Sequence, residues 1–179
     1  MKTSLTTLAF ILLCLFMQPF LAAEVTAKVA VKVAVKVTAK SIKVGDQAPD
    51  FSIMTLENKI FKLKDHRGKR PVYLIFWNTW CPACIKKMPV YQNTHTFHGE
   101  EIAIVAINTA RNDPFDNLAP FAERHQLDLP MAYDFGSKIT DSFGVMGTPT
   151  TFIIDINGLV RLRNNIPDDI EALLVHWQK

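Results

Sequence analysis

An unbroken apolar run, Pro-Val-Tyr-Leu-Ile-Phe-Trp at 71–77, is followed after two polar residues by Trp80-Cys81-Pro82-Ala83-Cys84. The run has the length of a strand and offers no polar side chain to water on either face, so both faces must be covered. Pro82 suits the first position of a helix, where a backbone N–H has no partner to lose. The pattern predicts a helix over 82–98. A buried strand that runs directly into a helix with two cysteines in its first turn leaves few layered α/β arrangements open.

The neighbouring segments extend this pattern. Residues 50–54 and 60–63 read as two short strands around the turn-prone Glu57-Asn58. Residues 101–108 are a second buried strand, and 114–126 a helix with Asp113 as its N-cap. Residues 130–133 are short and extended, and 137–143 form a short helix. Segments 150–156 and 159–163 form a hairpin around Asn157-Gly158. A last amphipathic helix covers 167–178, with Asp168 and Asp169 at its positive N-terminal end. Early alternation of strand and helix implies right-handed crossovers and parallel strands, and the closing hairpin adds antiparallel ones. The predicted class is α/β, a mixed central sheet flanked by helices, over residues 44–179. That length can bury enough surface for one core.

Two segments precede this domain. Residues 1–23 read as a signal peptide or N-terminal anchor: Lys2 supplies a positive start, 8–17 are apolar, Pro19 breaks the run, and Ala22 and Ala23 suit cleavage. The run is shorter than the ~20 apolar residues of a membrane span. Cys14 lies inside it behind Leu13, not behind the small residue of a lipid-attachment site, and reads as a hydrophobe lost with the signal. Residues 24–43 are a Lys/Val/Ala low-complexity linker with Val at 29, 31, 33, 35 and 37. Period two is a strand pattern, and an edge strand or a basic contact with anionic lipid is the alternative to a spacer. Five Lys against one Glu give this segment +4, whereas residues 44–179 hold 14 Lys or Arg against 16 Asp or Glu. The net charge of +3 therefore belongs to the tail, and composition gives no case for a nucleic-acid partner.

Removal of the signal leaves Cys81 and Cys84 as the cysteines of the mature chain. A sulfur at a helix N-terminus faces unpaired N–H groups and the positive end of the dipole, which favours thiolate and lowers its pKa below the free value of about 8.5. Cys81 is then an exposed nucleophile and Cys84, one turn inward, the buried resolving thiol. Three other readings compete. A structural disulfide across two residues closes a tiny loop and gains little. A zinc site with His95 and His98 departs from finger spacing in both gaps. Two unreactive thiols are the third. C-x-x-C beside a βαβ pattern favours redox chemistry, with a redox-active Cys81–Cys84 disulfide, no other cofactor and no metal.

Trp77 reads as core and Trp80 as surface beside Cys81. Phe115, Leu118 and Phe121 read as core. His66, His95, His98 and His125 read as surface histidines, and His176 as a favourable charge near the last helix end. No Gly-rich phosphate loop, Ser-His-Asp order or pair of catalytic carboxylates stands out.

With Pro89 five residues after Cys84 and Thr148-Pro149 ahead of a strand-turn-strand, the sequence resembles thioredoxin-fold proteins. More narrowly it resembles the exported TlpA/ResA/DsbE-like thiol-disulfide oxidoreductases. The carrying residues are Val44-Gly45-Asp46-Gln47-Ala48-Pro49-Asp50-Phe51, Arg67-Gly68-Lys69, Phe76-Trp77, Trp80-Cys81, Met88-Pro89 and Gly147-Thr148-Pro149-Thr150-Thr151-Phe152. The resemblance implies an N-terminal β-hairpin extension and an insertion around 109–129. It implies a kink at Pro89, a cis bond at Pro149, and a substrate-binding surface of Trp80, Thr148 and Pro149 in which the Thr148 backbone pairs with substrate. It further implies protein thiol and disulfide substrates, which include apocytochrome c haem-binding thiols, a membrane thiol carrier as electron donor, and a periplasmic or otherwise extracytoplasmic site, soluble or tethered to the inner membrane through 1–23.

Three positions depart from the group. Ile75 stands where thioredoxins have a buried Asp. Lys87 stands where the TlpA/ResA group often has Glu. Pro82-Ala83 is nearer the dipeptide of oxidising relatives than that of reductive ones. A reductase is the first reading, an oxidase or isomerase the second, and a thioredoxin-fold binding module with incidental redox activity the third.

Overall fold

A computed structural model describes residues 41–167 and 170–177, with side chains as far as Leu174. Residues 1–23, read above as a signal or anchor, almost all of the stretch 24–43 read as a linker, Asp168, Asp169 and the side chain of His176 therefore lie outside the described residues. Strand β1 (Ser52–Met54) pairs antiparallel with β2 (Ile60–Lys62). The turn between them puts Asn58 at a φ of 59°, a conformation Asn tolerates better than most residues. Strands β3 (Val72–Trp77) and β4 (Ala103–Asn108) bracket helix α1 (Pro82–His98). Then come a 3-10 turn (Phe115–Asn117), helix α2 (Leu118–Arg124), strand β5 (Met131–Tyr133), helix α3 (Lys138–Ser142), strands β6 (Thr150–Ile154) and β7 (Val160–Arg163), and helix α4 (Glu171–Trp177).

The main sheet has the order β5-β4-β3-β6-β7. β3 runs parallel to β4 and β4 to β5, while β6 is antiparallel to both β3 and β7. This is the expected mixed sheet. Every residue of β3 and β4 is buried, because both faces are covered. Strand alternation divides the core in two. Tyr73, Ile75, Trp77, Ile104 and Ala106 face Cys84, Met88 and Tyr91 of α1, Leu118 and Phe121 of α2, and Leu174 of α4. Val72, Leu74, Phe76, Val105 and Ile107 face Ile53, Leu63, Phe143 and Val145. Phe143 packs between the rings of Phe51, Phe76 and Phe152, with centroids 5.9, 5.5 and 5.3 Å away.

The β6–β7 turn places Gly158 at a φ of 83°, where a side chain would also collide with the Gln47 amide. That double constraint is why glycine follows Asn157. The folded part reaches back to residue 41, three residues before the boundary drawn from sequence. Ile42 is buried, and Arg163 Nη1 donates to Ser41 Oγ at 2.5 Å and to the Ile42 carbonyl at 2.7 Å.

Two local expectations are corrected. Asp113 caps no helix: the α-helix starts only at Leu118, and the Asp113 carboxylate turns into the protein. Phe115 is 45% exposed, because it sits in the 3-10 turn ahead of α2 and out of phase with Leu118 and Phe121. It packs edge-on to Tyr133, with Phe135 beside both.

Candidate active site

Strand β3 ends at Trp77, and Asn78-Thr79-Trp80 turn the chain into α1. Cys81 is the N-cap residue, extended at φ −88° and ψ 106°, and its sulfur accepts the Cys84 N–H at 3.1 Å. The sulfur thus sits on one of the four N–H groups that a helix start leaves unpaired, where negative charge on it is favoured. Pro82 occupies the first turn as expected. Cys81 and Cys84 are joined as a disulfide, with Cα atoms 5.2 Å apart. Pro89 lies within α1, so the Ile85 carbonyl has no N–H four residues on.

Across the sheet, the loop ahead of β6 carries Thr148 and Pro149, joined by a cis bond. The Thr148 carbonyl oxygen lies 3.4 Å from Cys81 Sγ. The structure therefore brings Cys81, Cys84, Thr148 and Pro149 to one place, 67 residues of chain notwithstanding. Trp80 is 53% exposed, with its indole N–H donating to the Arg111 carbonyl at 3.2 Å. Met146, two residues before Thr148, is 88% exposed. Cys81 itself is only 3% exposed, against 0% for Cys84. The sequence reading places Cys81 at the surface; the Thr148 loop covers most of it. The solvent-facing apolar groups of this region are Trp80 and Met146.

Cys84 belongs to the apolar cluster that holds Ile75, Trp77 and Met88. Ile75 is fully buried, so the position that carries an acid in thioredoxins is hydrocarbon here. His95 and His98 are at the far end of α1, eleven or more residues from Cys84. At 1.5 Å rise per residue that is about 16 Å or more, so a shared metal site with the cysteines does not form. His98 Nδ1 is instead 3.8 Å from Glu101, His66 stacks on Phe61, and His125 packs on Phe121.

A 122-residue stretch, 68% of this chain, is 38% identical to the thiol-disulfide oxidoreductase ResA of Geobacillus thermodenitrificans and covers 68% of that protein. The thioredoxin-like protein YneN of Bacillus subtilis is 36% identical over 121 residues, 67% of this chain and 70% of its own. A solved structure assigned as the thiol:disulfide interchange protein DsbE of Chlorobium tepidum superimposes with a TM-score of 0.63 at 32% identity, over 74% of this chain and 94% of that one. The family model described as AhpC/TSA matches residues 44–163.

The chain belongs to the AhpC/TSA family.

Its fold is thioredoxin-like, and the protein is a thiol-disulfide oxidoreductase of the C-x-x-C type. Within this AhpC/TSA domain, a polar network that the sequence reading missed underlies the redox pair. The Asp113 carboxylate accepts the Thr79 N–H and hydroxyl, both at 2.6 Å, the Asn108 amide at 2.6 Å and the Asn117 amide at 3.2 Å. Asn78 Nδ2 is 3.4 Å from the same carboxylate. The side-chain oxygen of Asn78 accepts the hydroxyls of Thr109 at 2.8 Å and Thr148 at 3.4 Å. The backbone carbonyl of Asn78 accepts the Cys81 N–H at 3.2 Å. Burial alone raises the carboxyl pKa of Asp113, but the bonds from Thr79, Asn108 and Asn117 outweigh it and hold the group below the ordinary Asp value. The available signal was Asn78 and Asn108, two amides at the ends of adjacent buried strands, where apolar residues are expected. Arg111 adds a second tie, donating to the Val145 carbonyl at 2.7 Å and to Asp141 at 2.6 Å.

Among the described residues no helix is long and apolar enough to cross a membrane.

Proposed function

We propose that the protein is an exported reductase of protein disulfides that works through the Cys81–Cys84 dithiol. One observation carries this reading: the sulfur that accepts the Cys84 N–H at the start of α1 lies 3.4 Å from the carbonyl that precedes the cis-proline. A substrate segment aligned along the Thr148 backbone is thereby delivered to Cys81, with Trp80 and Met146 as apolar flanks. The Cys81 thiolate attacks one sulfur of the substrate disulfide. The Cys81–substrate bond forms, the substrate S–S bond breaks, and the departing sulfur takes up a proton. Cys84 then loses its proton and attacks the Cys81 sulfur. Substrate leaves as its second thiol, two electrons have passed to it, and the Cys81–Cys84 disulfide remains. A membrane thiol carrier restores the dithiol. The resemblance to the TlpA/ResA/DsbE group supports apocytochrome c thiols as substrates, and residues 1–23 support an extracytoplasmic location, free or tethered to the membrane.

Replacing Cys84 by Ser blocks the second step, so the Cys84→Ser variant accumulates a mixed disulfide with a model protein disulfide, and Cys81→Ser forms none. Equal trapping by both variants, or by neither, would overturn the assigned roles. A second reading, an oxidase, is favoured by Pro82-Ala83 and by the absence of an acid at 75 and 87. The reduction potential separates the two: about −270 mV places the pair with the thioredoxins, and about −120 mV with strong oxidants.

A further inference from the structure

Three carboxylates are buried among the described residues: Asp113, Asp134 and Asp155. Two of them serve local turns. Asp134 accepts the N–H groups of Ile139 and Thr140 and the Thr140 hydroxyl at the start of α3. Asp155 accepts the N–H groups of Asn157 and Leu159 within the last hairpin and pairs with Arg161. Asp113 binds Asn108 and Asn117 and, unlike the other two, also the turn that carries Cys81.

Thr79, held by two bonds of 2.6 Å, lies two residues before Cys81. Asn78 touches the same carboxylate, holds the Cys81 N–H through its own carbonyl, and reaches the Thr148 hydroxyl through its side chain. One carboxylate therefore grips both the strand-to-helix turn and, through Asn78, the loop opposite. Its partners are neutral. Tyr133 donates its hydroxyl to the Asp113 backbone carbonyl at 2.8 Å, not to the carboxylate. Arg111, two residues away in sequence, is committed to Asp141 and Val145. The carboxylate thus takes neutral donors from the turn that leads into α1.

We propose that Asp113 is a positioning residue of the redox site: through Thr79 and Asn78 it fixes the Cys81 turn against Thr148, and its charge makes the Cys81–Cys84 pair more reducing. The role rests on the oxidoreductase reading. Reduction of the disulfide takes two electrons and yields two thiols, of which Cys81 ionises. A carboxylate bound to the Thr79 N–H, two residues before Cys81, opposes that new negative charge, so the reduced form is less favoured than it would be on the helix N-terminus alone. A pair whose reduced form is strongly stabilised is an oxidant, and Asp113 acts in the opposite direction.

The test uses the full chain, equilibrated in glutathione buffers at one fixed pH, with thiolate absorbance and iodoacetamide reactivity of the reduced protein as second readouts. Asp113→Asn keeps the shape and most hydrogen bonds while removing the charge. It is expected to shift the dithiol/disulfide equilibrium about tenfold toward dithiol, about 30 mV for this two-electron couple. The Cys81 alkylation rate should rise with it. Asn117→Ala removes one exposed donor and no charge, and should leave the potential in place. Asp113→Ser, a smaller neutral acceptor, is held to the same threshold if the amide variant does not fold. A purely structural role lowers stability without moving the potential. A potential unchanged in the charge-removed variants, or shifted toward the disulfide, overturns the proposal while leaving the oxidoreductase reading intact. A wild-type pair that fails to equilibrate with glutathione overturns both.

Discussion

Replacing Asp113 by Ala tests how much of the fold depends on the network behind the cysteines. The substitution removes the acceptor of five hydrogen bonds at once, of which the 3.4 Å bond from Asn78 is long and contributes little. Their costs differ because their access to water differs. Asn117 is exposed and turns its amide to solvent at little cost. The Thr79 N–H and hydroxyl are part-buried, and each loses an ordinary net contribution of about 0.5–1.5 kcal/mol. Asn108 is fully buried, and its amide is left without the carboxylate, at about 1–3 kcal/mol. The sum is about 2–6 kcal/mol, toward the severe end of single substitutions.

Urea denaturation of wild type and variant, followed by far-ultraviolet circular dichroism, measures the difference. Its pH dependence has a definite sign. The folded-state pKa of Asp113 lies below the ordinary Asp value, so its contribution is complete above the unfolded value of about 3.9. The contribution is lost as pH falls through the lower, folded-state value. The gap between wild type and variant should therefore be constant from pH 7 to about pH 5 and close only in stronger acid. A loss under about 1 kcal/mol, or a gap that has already closed at pH 5, would refute the reasoning.

Phe143→Ala should cost about 3–5 kcal/mol, because the ring is fully buried among three others and leaves a cavity. A change below about 1.5 kcal/mol by calorimetry or urea titration would mean that the aromatic cluster collapses into the space. His66 has a lowered pKa, from burial first and then from Arg70 and Lys69, with Asp65 opposing. The unfolded chain thus binds more protons than the folded one, and wild-type stability should fall as pH drops through about 6.5. In His66→Phe that component should vanish, and an unchanged pH profile between 7 and 5 would count against it.

Much of the site was legible as local sequence. A strand with no charged residue, Pro82 at the helix start and two cysteines one turn apart specify how Cys81 meets the first turn of α1. Each of those signals acts within a few residues. The hairpin at Asn157-Gly158 and the helix over 82–98 are of the same kind, since turn and capping preferences are set by neighbouring backbone. Phe115 and Asp113 show where local reading stops. Both stand near a helix start, and short-range rules place one in the core and the other on a cap. Instead the helix begins at Leu118, which leaves Phe115 outside and frees Asp113 to turn inward.

Local sequence is enough to open a helix with two cysteines behind a doubly covered strand. That Thr148 closes over Cys81, and that Asp113, 32 residues after that cysteine, holds the turn before it, follows from how the strands assemble. Those partners meet because β4 and β6 flank β3 in the sheet. Strand order is set by the packing of whole faces, and no residue carries it alone. The same packing removes water from Asn78, Asn108 and Asp113. Once buried, such groups must find one another, and that requirement has no counterpart in the periodicity of any single segment.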